Sequence, residues 1–185
     1  MMRLLIFALM VAMVSIVTTP DAVAREKKVK VPCQKEGRST KEEIRAYATG
    51  SSLNVEAARQ KALASARTTL SANIEVLVKT VNENYMSSYE LGVDEDYRSS
   101  FNQVGRNVVN RALNFAILIC DEVLQDTKTK QYKVHVALSL AGKELSKIYE
   151  DALGADQRLR TDFERSKFLE IFKEEMEAYA KRQQN

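Results

Sequence analysis

Cys33 and Cys120 are the only cysteines in this 185-residue sequence, and His135 is its only histidine. In an oxidising compartment two cysteines admit a single intramolecular disulfide. Such a bond would tie a segment near the start of the chain to its middle and contribute about 2–4 kcal/mol. The competing reading makes Cys120, set in an apolar run, a small buried hydrophobe. Spacing carries no distance, so both readings stand at this point. One histidine without a neighbouring cysteine–carboxylate set does not make a metal site, and His135 reads as a solvated strand residue.

The remaining candidates for chemistry dissolve one by one. A serine nucleophile needs a sharp elbow such as G-x-S-x-G, which Gly50-Ser51-Ser52 does not supply. Gly50 reads as a turn and lacks the second glycine and lysine of a phosphate loop. Asp94, Glu95 and Asp96 suit a helix start, where negative charge meets the positive end of the dipole. Glu174, Glu175 and Glu177 sit in a charged stretch that reads as solvated helix. The expectation is a protein that is not an enzyme and carries no cofactor or metal.

Composition points the same way. Lys and Arg number 28 against 25 Asp and Glu, a net charge of +3, without the clustered basic face of a nucleic-acid binder. The first residues set the compartment. Arg3 precedes an almost unbroken apolar run from Leu4 to Val17, and Thr18-Thr19-Pro20 breaks it. Ala22-Val23-Ala24 then places small residues where a signal peptidase reads. Fourteen apolar residues at 1.5 Å each span roughly 21 Å, short of a bilayer core of about 30 Å. The expectation is a signal peptide over 1–24, cleavage before Arg25, no membrane span afterwards, and a periplasmic or outer-membrane-associated protein. Acylation of Cys33 is disfavoured, because Lys30-Val31-Pro32 replaces the small-residue box that lipid attachment requires.

The elements that must carry any site follow from periodicity. Residues 43–49 alternate Ile44, Ala46 and Ala48 with polar or larger neighbours, the two-residue period of a strand. Asn54 can cap a helix over about 55–84, with Leu63, Ala66, Leu70, Ile74, Leu77 and Val81 on one stripe. Ala58, Ala62, Ser65 and Ala72 form a small-residue stripe beside it. A second helix is expected over about 96–113. Phe115 to Cys120 is a continuous apolar run that suits a central strand and continues through Gln125. A short polar loop, 126–130, then returns an antiparallel strand in which Tyr132, Val134, Val136, Leu138 and Leu140 share a face.

From Gly142 the pattern is helical to the end, with Gly154 a break or kink. The last stretch sets Phe163, Phe168, Phe172 and Tyr179 among dense charge, an aromatic stripe that needs burial. This order is α+β: a small, mostly antiparallel three-stranded sheet with helices packed on one face and a long C-terminal amphipathic helix. The expected division is a tail over 25–42, an α+β domain over 43–153 and the terminal helix over 154–185.

The strand ending in Ala48-Thr49-Gly50, followed by Glu56-Ala57-Ala58-Arg59, Lys61-Ala62, Ala66-Arg67 and Leu70, resembles the Lpp-twenty lipoprotein family of FlgP-like envelope proteins. More loosely it is similar to the FlgT N-terminal-domain family. Ala58, Ala62, Ala66 and Arg67 supply the family's helix spacing, and the specific part of the likeness spans Ile44 to Leu70. The missing lipid-attachment box is a departure from that pattern. The resemblance implies a non-catalytic structural, assembly or interaction role in the cell envelope, with an envelope protein or a second copy as partner. On that reading Phe163, Phe168, Phe172 and Tyr179 would form an interaction surface. The alternative is a soluble periplasmic binding module for a small apolar ligand or peptide, held in a cleft between sheet and helices.

Overall fold

The element order in the computed structural model, which describes residues 29–88, 95–157, 159–160 and 163–184, is strand, two helices, hairpin, two helices. The elements are β1 (Glu43–Ser52), α1 (Val55–Ser87), α2 (Glu95–Ala112), a 3-10 turn (Leu113–Phe115), β2 (Ile117–Gln125), β3 (Tyr132–Ala141), α3 (Gly142–Ala155) and α4 (Arg165–Gln184). This is an α+β fold with an open, antiparallel three-stranded sheet. The expected signal segment and the basic stretch at 25–28 lie outside the described residues. Among those described, no helix is long and apolar enough to cross a membrane.

The sheet order is β1-β3-β2, so β3 is central and the other two strands are edges. This corrects the expectation for β2, whose unbroken apolar run suggested a central position. The strand with the cleaner alternation, β3, is the one buried on both faces. Gly50 is likewise not a turn. It pairs with Val134 inside β1, which continues to Ser52.

What Gly50 does instead is let a helix sit on the sheet. A Cβ at this position would run into the carbonyl oxygen of Ala58 and stand 2.6 Å from the backbone nitrogen of Ala62. Ala58, Ala62 and Ala66 are fully buried, so the small-residue stripe and the glycine together bring α1 against β1 and β3. Ser65 and Ala72, expected beside that stripe, face away and are exposed. Asn54 caps α1, its side chain accepting from the Ala57 N–H at 3.0 Å, with Glu56 in the first turn.

Beyond the sheet, α1 continues into a second core built of aromatics. The Tyr85 ring stacks on Phe101 at 5.3 Å and meets Phe168 edge-on at 5.8 Å; Phe168 in turn meets Tyr149 at 5.0 Å. These rings join α1, α2, α3 and α4, and arrangements of this kind add about 0.5–1.5 kcal/mol per pair beyond area burial. The terminal helical stretch breaks into two helices, but past Gly154, which stays inside α3. The chain leaves helical geometry at Asp156, and α4 folds back on α1, fastened by Tyr85 Oη accepting from the Glu164 N–H at 2.8 Å. Val31–Asn185 forms one compact unit, with α4 as its C-terminal helix. Of the unit before it, Met1–Lys30, only Val29 and Lys30 are described, and both are exposed.

Candidate functional site

Cys33 and Cys120 form a disulfide with Cα atoms 5.6 Å apart and a sequence separation of 87. Cys33 takes a left-handed backbone conformation, φ 59°. The bond fastens the segment around Cys33 to the sheet face opposite α1. Cys33 Sγ lies 3.4 Å from the His135 carbonyl oxygen, and Gly37 packs on Tyr47 so closely that any Cβ there would overlap it. Glu122 stands near the two sulfurs. Because the sulfurs are bonded to each other, neither is a thiolate able to hold a metal.

That cover reverses the expectation for His135. The ring is only 4% exposed, and Ala137 and Ser139 on the same face are buried too. Strand alternation places these side chains on the second face of the sheet, but it does not reveal that the preceding tail folds over that face. His135 Nδ1 lies 3.0 Å from Thr49 Oγ1, while Nε2 has no hydrogen-bond partner among the described residues. Burial, aided by the charge of Lys133 and opposed by Glu122, pulls the imidazole below its ordinary range. A neutral ring serving as core fits this better than a proton-transfer group.

The four aromatics expected as an interaction surface belong to the chain's own core. Phe168, Phe172 and Tyr179 are buried and Phe163 is partly buried against them, because α4 turns that stripe onto α1. Arg59 makes ion pairs with Glu56 at 2.6 Å and Asp121 at 2.9 Å, joining α1 to β2; Arg67 is exposed.

The unburied apolar surface lies elsewhere. Five of the eight large exposed hydrophobic side chains among the described residues fall between Phe115 and Leu124. On β2, Ile117 is 60% exposed, Leu118 48%, Val123 41% and Leu124 48%. The backbone along this strand's outer edge makes no hydrogen bond to another described backbone group. A nine-residue edge with free donors and acceptors and apolar side chains on both faces is a template for strand pairing. Periodicity could have flagged the apolar run but not its position, since a central strand and an open edge awaiting a partner have the same composition.

Among the described residues, grooves lie between the helices. One of about 540 Å³, between α1 and α2, is lined by Glu75, Lys79, Asn82, Arg98, Asn102 and Arg106 among others. Asn82 is buried there and its Oδ1 has no partner among the described residues. The second, between α2 and the end of α3, includes Asn107, Arg111 and Asp156. Both linings mix charges and amides with apolar side chains, Val78, Met86 and Val109 in the first and Val104 and Ala152 in the second. Between α1 and β1 the close approach of Gly50 and the alanine stripe leaves no room for a cleft. Comparison with protein-family models, curated proteins and solved structures gives no match.

Proposed function

We propose that this chain is a non-catalytic interaction protein of the cell envelope, working in the periplasm or at the outer membrane, with β2 as its docking element. The observation that carries the reading is the open β2 edge: Ile117, Leu118, Val123 and Leu124 exposed beside unpaired backbone, while the opposite edge and both faces of β3 are covered. A strand left this way is an aggregation hazard unless something pairs with it.

Two features support the compartment. The disulfide needs oxidising surroundings to form and persist, and the first 24 residues have the layout of a secretory leader. The likeness of Ile44–Leu70 to Lpp-twenty lipoproteins supports an assembly role of the same kind.

Envelope fractionation of the native protein, followed by sizing without reducing agent, tests the reading. Co-fractionation with the outer membrane or with a partner, lost when β2 is altered by Leu124→Lys, is the expected result. Release from the periplasm as a monomer that binds nothing would sink it.

A further inference from the structure

We infer that the occupant of the β2 edge is a second copy of the same chain, paired antiparallel about a two-fold axis to give one continuous six-stranded sheet. This rests on the docking role proposed for β2 and adds the partner and the register. The argument starts from an irregularity in the strand. β2 carries a bulge between Leu118 and Cys120, so Ile119 is an extra residue against β3.

The bulge resets which side chains share a face. Leu118 pairs with Leu138 and Val123 with Val134, which puts both on the α1 side of the sheet. Ile117 pairs with Ser139 and Leu124 with Lys133, which puts both on the disulfide side. Two copies related by a two-fold axis perpendicular to the sheet can pair with the axis passing at Asp121. Leu118 then faces Val123 of the second copy on one side, and Ile117 faces Leu124 on the other. Every apolar exposed residue of the strand meets an apolar residue on its own face, and the symmetry repeats each pair at the other end.

Without the bulge this match would fail. Five residue steps separate Leu118 from Val123, and in a regular strand an odd number of steps places two side chains on opposite faces. The extra residue in each copy restores parity, and the two bulges lie across the axis from one another.

The register also places the charges. The extra residue in each copy sets Glu122 opposite the Ile119–Cys120 bulge and Asp121 opposite its own counterpart at the axis. Like charges facing across a pair of strands are destabilising, and here each Asp121 carboxylate is already paired with Arg59 at 2.9 Å, which offsets the repulsion. Pairing of this type is isologous and closes after two copies, which ends further edge-to-edge growth through β2.

Sedimentation of the oxidised full chain over a concentration series tests this, with Val123→Lys/Leu124→Lys as the interface variant and Val76→Lys, an exposed apolar site on α1, as control. The expected result is a dimer for the parent and the control. In the interface variant, dissociation should strengthen roughly 100-fold or more, since two apolar contacts are lost in each copy. A second variant fixes the register: Leu118→Cys with Val123→Cys should give a covalent dimer on mild oxidation, and Leu118→Cys alone should not. A dimer indifferent to the lysine substitutions would overturn the inference. So would a parent that stays monomeric at every concentration: if it still fractionates with an envelope partner through β2, the docking role survives without self-pairing, and if it binds nothing, both fail.

Discussion

The two edges of the sheet are treated in opposite ways. Along β1 the Arg45 N–H donates to Ser39 Oγ at 3.0 Å, and the Arg45 carbonyl accepts from Asn73 Nδ2 at 2.9 Å. The Glu43 carbonyl accepts from the Thr40 N–H at 2.9 Å. The tail and α1 thus occupy groups that a foreign strand would need. Along β2 no such cover exists among the described residues, and its apolar side chains are exposed. The contrast teaches that the same fold can close one sheet edge with its own segments while the other edge keeps its apolar side chains exposed.

Breaking the cover on the closed side should cost most. Replacing Cys33 and Cys120 together by Ser removes a cross-link over a sequence separation of 87, for which the chain-entropy relation gives about 4.5 kcal/mol. Chemical denaturation with and without reductant should show this loss. Hydrogen exchange should also rise along β3, whose second face the tethered tail covers.

Next in size is the packing that closes the α1 side. Gly50→Ala pushes a methyl group into helix backbone that has no rotamer with which to yield, and should lower stability by about 2–3 kcal/mol or more. Ser51→Ala, on the same strand but exposed, should be close to neutral in the same melts.

Acid should act on the covered face as well. His135 has a depressed pKa, so the folded state disfavours its protonation. The stability this contributes is present above the ordinary value of 6.5 and is lost as pH falls through the folded pKa. Glu43 adds a second loss further down the scale: its hydrogen bond from Arg45 holds the carboxylate below 4.5, and that contribution disappears as the group protonates. His135→Leu should flatten the upper limb of a stability–pH profile and leave the lower one.

Smaller effects separate the edges themselves. Asn73→Ala uncaps one β1 carbonyl and should cost about 1 kcal/mol, read as a shift in the denaturation midpoint. Leu124→Lys, on the open edge, should change monomer stability by less than about 0.5 kcal/mol. If it instead destabilised the isolated chain as much as Asn73→Ala, β2 would be working as core, and the difference between the edges would vanish.

Much of this architecture was legible from local pattern. The alternation of Tyr132 to Leu140, the polar 126–130 loop and the Asn54 cap each depend on neighbours a few residues away, and they appear where periodicity and capping place them. What the pattern could not contain is which surface buries which stripe. Phe168, Phe172 and Tyr179 needed burial by their spacing, but whether against a partner or against α1 depended on a break near Asp156 that turns α4 back. Cys33 and Cys120 admitted one pairing, yet only the folding of the tail across the sheet brought them together and buried His135 in passing. The apolar run of β2 marked a strand that wants neighbours on both sides, and the chain supplies one. Periodicity records a side chain's need for burial because that need is set by its own chemistry. The partner that meets it is chosen by contacts between residues far apart in sequence, and for β2 the tertiary structure leaves that place open.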